Sequence, residues 1–184
     1  ANEQGGAIYV NGSYNTIVSD SFSSNVAAGT SIAQGGAIYV KGLSNSISSN
    51  SFVGNKAIAE NGNAYGGAIY NSADATTLSI AGSEFTNNSA YSANGLSYGG
   101  AIYNAENGSI ESISSSSFSG NSATFGGAIY NDGNVGRIDN NSFTNNTANE
   151  QGGAIYAHSS NNIISNTFSG NTAGTMGGAI YASG

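Results

Sequence analysis

Ten carboxylates, three basic side chains and one histidine are the groups, tyrosine apart, from which this chain could build acid–base chemistry. The acids are Glu3, Asp20, Glu60, Asp74, Glu84, Glu106, Glu111, Asp132, Asp139 and Glu150. A polysaccharide lyase needs several acids around Ca²⁺ and an Arg or Lys to take a proton. Only Asp132, Arg137 and Asp139 bring both signs together, and they read as solvated charges beside a turn. A glycoside hydrolase needs two carboxyl groups facing one another across roughly 5–9.5 Å, one of them in an apolar setting. Glu106 and Glu111 are close enough along the chain, but neither lies in an apolar run. His158 is the only histidine, expected on an exposed turn with Ser159 and Ser160, so neither a catalytic triad nor a histidine metal site can be assembled. The glycine-rich Ca²⁺ nonapeptide is absent. No catalytic residue, metal ligand or cofactor is assigned, and the expectation is that this is not an enzyme.

The elements that would have to position such groups are more informative than the groups. Gly-Gly-Ala-Ile-Tyr occurs seven times, beginning at Gly5-Gly6, Gly35-Gly36, Gly66, Gly99, Gly126, Gly152 and Gly177. Successive copies start 30, 31, 33, 27, 26 and 25 residues apart. Its isoleucines are Ile8, Ile38, Ile69, Ile102, Ile129, Ile155 and Ile180; Tyr9 is the first of its tyrosines. Between each neighbouring pair stands Phe-x-x-Asn-x-Ala, with Phe22, Phe52, Phe85, Phe118, Phe143 and Phe168 and with Asn25, Asn55, Asn88, Asn121, Asn146 and Asn171. Five residues before each phenylalanine is another isoleucine, from Ile17 to Ile163. A fixed period of this length means one unit stacked upon itself. Residues 1–184 therefore read as a single segment, and its uncapped ends are those expected of a piece excised from a longer array.

Gly pairs, Asn and Ser richness, and Ile, Tyr and Phe as the large residues oppose a helical repeat. Ala-Ile-Tyr reads as a short strand. The odd spacing from Ile to Phe would send the two side chains to opposite faces of one straight strand, so the chain must bend between them for both to be inside. The predicted coil has three short strands, two bends and a closing turn, with Ala after Asn leading into a connection. The fold expected is all-β: a right-handed parallel β-helix of about six complete coils of ~25–33 residues each, rising about 4.8 Å per coil. Ile of the glycine motif should face inward, leaving an exposed tyrosine ladder. The asparagines should sit at a bend and bond amide to amide between coils. The paired glycines supply either positive φ or room for backbone approach.

Three early coils are longer, and the excess occupies one corner: residues 28–34, 58–65 and 91–98. These segments should stack as a lateral ridge, with Tyr65, Tyr91, Leu96 and Tyr98 as candidate partner-binding residues, since departures from a rigid scaffold are where binding resides. Composition narrows the partners. Charged residues are 7% of the chain and the net charge is −7, which excludes a nucleic-acid binder needing a basic stripe. No run approaches the roughly 18 apolar residues of a membrane span, so insertion by this segment is not expected.

Gly-Gly-Ala-Ile followed by Phe-x-x-Asn resembles the repeats of the chlamydial polymorphic outer-membrane proteins, and more broadly the β-helical passengers of autotransporter (type V secreted) adhesins. That resemblance implies a right-handed β-helix displayed outside a Gram-negative cell, held by a translocator not present in this segment. It also implies adhesion, as passenger or stalk, to a host-cell or matrix protein or glycan. Two alternatives come from other classes. One is a β-helical carbohydrate-active enzyme or glycan-binding module whose active residues lie outside the segment. The other is a self-assembling filament or array, for which unpaired strands at the β-helix ends offer a route to self-association.

Overall fold

The computed structural model describes residues 1–158 and 161–183. The chain winds as a right-handed parallel β-solenoid, and no helix occurs among the described residues. Strands pair in parallel with their equivalents one repeat away. Ile8 lies beside Ile38 and Tyr9 beside Tyr39, and the same register runs down to Ile155 beside Ile180. Phe22, Phe52, Phe85, Phe118, Phe143 and Phe168 are likewise successive partners. The sequence repeat is thus read out directly as a spatial column.

Each coil has four sides, not the three expected. A seven-stranded sheet carries Gly-Gly-Ala-Ile-Tyr, a six-stranded sheet carries the upstream isoleucines, and another six-stranded sheet carries the phenylalanines. The side missed is a nine-stranded sheet that begins with Val26–Gly29 and includes Lys56–Ala59, Ser89–Ser92, Ser122–Phe125, Thr147–Gln151 and Thr172–Ala173. Ala after Asn is therefore a strand residue packed inside, as Ala27 and Ala57 show by their complete burial, and not the start of a connection. Alanine is too small and too weak a strand former for its sequence to announce a wall.

The bends have one recurring form. Two residues after each upstream isoleucine the backbone turns left-handed, at Ser19, Ser49, Gly82, Ser115, Asn140 and Ser165, with φ between 50° and 59°. Two residues after each phenylalanine it does so again, at Ser24, Gly54, Asn87, Gly120, Asn145 and Gly170. Each left-handed residue resets the in–out alternation, so Ile, Phe and Ala, spaced five apart, all point inward. Gly, Asn and Ser are the residue types that tolerate this conformation or hydrogen-bond locally within it.

The glycine pair divides its two tasks. Gly35 has φ 66°, whereas a Cβ on Gly36 would lie 2.1 Å from the Gly67 carbonyl oxygen of the next coil. The same division holds from the first coil, where Gly5 turns left-handed and Gly6 abuts Gly36.

Inside, Ile38, Ile69, Ile102, Ile129 and Ile155 are fully buried and share one core with the phenylalanine column. Neighbouring phenylalanine rings stack at 4.7 to 5.0 Å. The Phe-x-x-Asn asparagines run beside them as an amide ladder. Asn88 Nδ2 donates to Asn121 Oδ1 at 3.0 Å and to the Phe52 carbonyl at 3.0 Å. Its Oδ1 accepts from the Asn55 backbone N–H at 3.0 Å and from Asn55 Nδ2 at 2.9 Å. Asn25 and Asn55 above, and Asn121, Asn146 and Asn171 below, continue this pattern.

Two further polar columns lie in the wall. Asp20, Asn50, Ser83, Ser116, Asn141 and Asn166 occupy the first bend, each receiving or giving a backbone–side-chain bond along the axis. A shorter column, Asn71, Asn104 and Asn131, follows the tyrosine of the glycine motif and is fully buried. Val40 occupies the equivalent position above it and Ala157 below. Asn71 Oδ1, at the upper end, is buried with no hydrogen-bond partner.

Candidate functional site

The regular solenoid is interrupted in three consecutive coils. There the alanine side goes out and returns as two strands: Val26–Gly29 with Ile32–Gln34, Lys56–Ala59 with Asn63–Tyr65, and Ser89–Ser92 with Ser97–Tyr98. In the next coil Ser122–Phe125 spans the same distance as one strand, with Ser122 beside Ser89 and Phe125 beside Tyr98. The extra length therefore forms a thin double-layered fin. Ala33, Ala57, Ala59, Ala64, Ala90 and Ala123 cluster between its layers. Methyl groups let the two layers close with little space between them. At the tip, Asn94 Nδ2 donates to Asn61 Oδ1 at 3.0 Å and the Leu96 N–H to Asn63 Oδ1 at 3.0 Å, so the reversals hold one another in line.

Strand alternation then separates the four candidate residues. With Ala57, Ala59 and Ala64 facing the seam, Ile58 and Tyr91 point to one flank, while Tyr65, Leu96 and Tyr98 belong to the other. On the second flank Tyr65 and Tyr98 stack at 5.3 Å and meet the tyrosines of the glycine motif edge-on across the Gly-Gly corner. Tyr65 lies 4.8 Å from Tyr103, and Tyr98 lies 5.0 Å from Tyr130.

This contact overturns the exposed tyrosine ladder. The rings do point away from the core, and those from Tyr9 to Tyr156 stack on one another at 4.6 to 5.4 Å. Yet Tyr39, Tyr103 and Tyr130 are only 8%, 7% and 8% exposed. Neighbouring coils cover their faces, and Tyr65, Tyr98 and Phe125 cover the sides of Tyr103 and Tyr130. Only Tyr9, in the first coil, remains open at 47%. Burial raises the phenol pKa of Tyr70, Tyr103 and Tyr130, and the Asp132 carboxylate adds to that effect at Tyr103 and Tyr130.

Tyr91 differs from these rings. It is 57% exposed and makes no aromatic contact. With Ala28 and Ile58 it lines an open groove of about 580 Å³ that also takes in Glu3, Thr30 and Glu60. Leu96, at the fin's edge, is 43% exposed.

The titratable residues do not converge. Arg137 Nε lies 3.3 Å from Asp139 Oδ1, but Asp132 lies apart from that pair. Asp132 instead approaches His158 Nδ1 at 3.6 Å and accepts from the Tyr103 hydroxyl at 3.4 Å. His158 is exposed; Ser159 and Ser160, expected to share its turn, lie outside the described residues. Glu111 accepts from the Ser79 hydroxyl at 2.9 Å, and Glu106 is exposed at a turn. Lys41 pairs with Asp74 at 3.1 Å, and both side chains are well exposed. Among the described residues no group of three or more His, Cys, Asp or Glu could hold a metal ion.

Four segments, residues 82–105, 115–132, 142–158 and 167–183, match the Chlamydia polymorphic membrane protein repeat. Each runs from a Phe-x-x-Asn to the Gly-Gly-Ala-Ile that follows it, and the first contains the third arm of the fin. No curated protein and no solved structure gives a significant match.

Proposed function

From a chain that carries Chlamydia polymorphic membrane protein repeats wound into a right-handed β-solenoid, we propose a non-enzymatic segment of a surface-displayed adhesin, in which the fin engages the partner. The repeats and the fold fit a surface β-helical protein, and the repeat family suggests an outer-membrane or surface location. One observation carries the adhesive reading. Among the described residues, the one large departure from the stacked lattice is confined to three consecutive coils, and it holds Tyr91 and Leu96 open to solvent on a rigid frame. A passive stalk has no need of such a structure, whereas recognition needs shape that the repeat itself cannot supply.

The glycine-motif tyrosines give a glycan no open platform within this segment. Sugar rings stack on aromatic faces, and these faces are taken up by neighbouring tyrosines.

The test is binding to epithelial cells and to matrix proteins, with a variant in which residues 28–34, 58–65 and 91–98 are shortened to the length of the later coils. We expect binding by the parent chain and its loss on shortening, with the β-sheet circular-dichroism signal retained. Equal binding by both would move recognition to the solenoid wall. Absence of binding by both would make the segment a stalk.

A further inference from the structure

The two flanks of the fin are chemically unlike. One is occupied by the protein's own tyrosines, while the other presents Ala28, Ile58 and Tyr91 in successive layers along an open groove. The increase in size down this column makes a ramp, deepest over Ala28 and closed by the free face of Tyr91. Beside the ramp stand two exposed carboxylates, Glu3 and Glu60. Glu3 lies one layer above Ala28 and Glu60 one layer below it, so the carboxylates are separated along the axis by about two strand spacings, or ~10 Å. No basic side chain is within ion-pair distance of either among the described residues.

Resting on the adhesive reading above, we propose that this flank binds an extended cationic segment of a partner protein, with lysine or arginine side chains reaching Glu3 and Glu60 and an apolar side chain of the same face resting on Tyr91. Charge selects this occupant. Apolar floor with acid at both ends is complementary to an extended segment whose same-face residues, about 7 Å apart, run basic, apolar, basic. A second copy of the chain is a poor fit: it has three Lys and Arg residues in all, and Lys41 and Arg137 are already paired with Asp74 and Asp139.

The probe is a short fluorescent peptide with lysine and leucine alternating at every second position and serine between them, titrated with the whole chain and followed by anisotropy at low and high salt. Peptides with glutamate for lysine, or serine for leucine, run beside it. Binding of the lysine–leucine peptide alone is expected. It should weaken about tenfold in Glu3→Gln/Glu60→Gln, with a flattened salt dependence, and about tenfold in Tyr91→Ser with the salt dependence kept. All of these positions are exposed, so the fold should survive, as circular dichroism will report. No binding by the parent chain overturns the proposal. So does an equal loss in the control variant Glu106→Gln/Glu111→Gln, which would mean diffuse attraction to an acidic protein. Cell binding that is lost on shortening the fin but survives Glu3→Gln/Glu60→Gln/Tyr91→Ser also overturns it, and leaves the adhesive reading standing. Peptide binding lost in those three substitutions, in a chain that binds no cells, supports the groove and sinks the adhesive reading.

Discussion

Two columns of aromatic rings run along this solenoid at nearly the same spacing, one inside the wall and one outside it. Phenylalanines stack at 4.7 to 5.0 Å within the core, and Tyr39, Tyr70, Tyr103 and Tyr130 stack at 5.0 to 5.4 Å beyond the opposite face of a neighbouring sheet. The stacking in both is imposed by parallel in-register strands. What differs is the company. Phe52, Phe85, Phe118 and Phe143 are sealed on every side and flanked by a hydrogen-bonded amide ladder. Tyr70, Tyr103, Tyr130 and Tyr156 rely on Tyr65, Tyr98 and Phe125, each placed at the corner directly before a Gly-Gly pair. Register creates a column; enclosure decides how much it stabilises.

The largest test of that distinction is truncation of one ring from each column. Phe85→Ala should destabilise the chain by about 3–5 kcal/mol, the range for emptying a buried aromatic site. Tyr103→Ala should lose about half as much in urea unfolding, because its cavity opens at one edge to water. Equal losses would mean that the outer column is as much a core as the inner one.

Next in size is the amide that braces the inner column. Asn88→Ala removes two donated and two accepted hydrogen bonds in a buried site, and about 3 kcal/mol is expected from the groups left unpaired. Asn88→Asp should be no better, since it keeps the acceptor but loses the donor and adds a buried charge. An Asp variant as stable as the parent chain would show that the ladder contributes little.

The outer column has a pH signature which the inner one lacks. Burial raises the phenol pKa of Tyr70, Tyr103 and Tyr130 above the ordinary value of 10.0. A raised folded-state value means that the neutral form is favoured by folding. That contribution is complete below pH 10 and lost as pH rises from there through the folded-state values. Tyrosinate absorbance should therefore show a fraction of the rings ionising late, together with unfolding, while variants shortened at the fin ionise earlier.

The smallest effect belongs to Tyr103→Phe. It keeps the stack and removes only a hydroxyl 3.4 Å from Asp132, so a change below about 0.5 kcal/mol in thermal or urea unfolding is expected.

The same comparison shows what could be read beforehand. Ile, Phe and Asn are legible because each keeps its type at its position in every coil, and a column of identical residues has one meaning in a stacked array. The first-bend column is not, because it alternates between Asp, Asn and Ser: Asp20, Asn50, Ser83, Ser116, Asn141, Asn166. Its signal was the offset, three residues after Ile, which repeats the three from Phe to Asn. The fourth wall hides in alanine. Burial of the tyrosines was out of reach for another reason. Alternation says only that Tyr103 points out, whereas its cover comes from Tyr98, around the corner five residues earlier, and from Tyr65 one coil away. By the same rule, the candidates Tyr65, Tyr91, Leu96 and Tyr98 shared a ridge in sequence but are divided between its two flanks.

The short interior column of Asn71, Asn104 and Asn131 bears on how such an array can lengthen. Each amide gives to the one below and takes from the one above, so the column has a direction, and its upper acceptor on Asn71 is stranded against Val40. A coil with valine or alanine at this position can be copied above Val40 or below Ala157 without disturbing it. Spliced between Asn71 and Asn131, the same coil would cut the column and bury a second stranded acceptor. Insertion of a coil is thus tolerated at the flanks of this column and penalised in its middle.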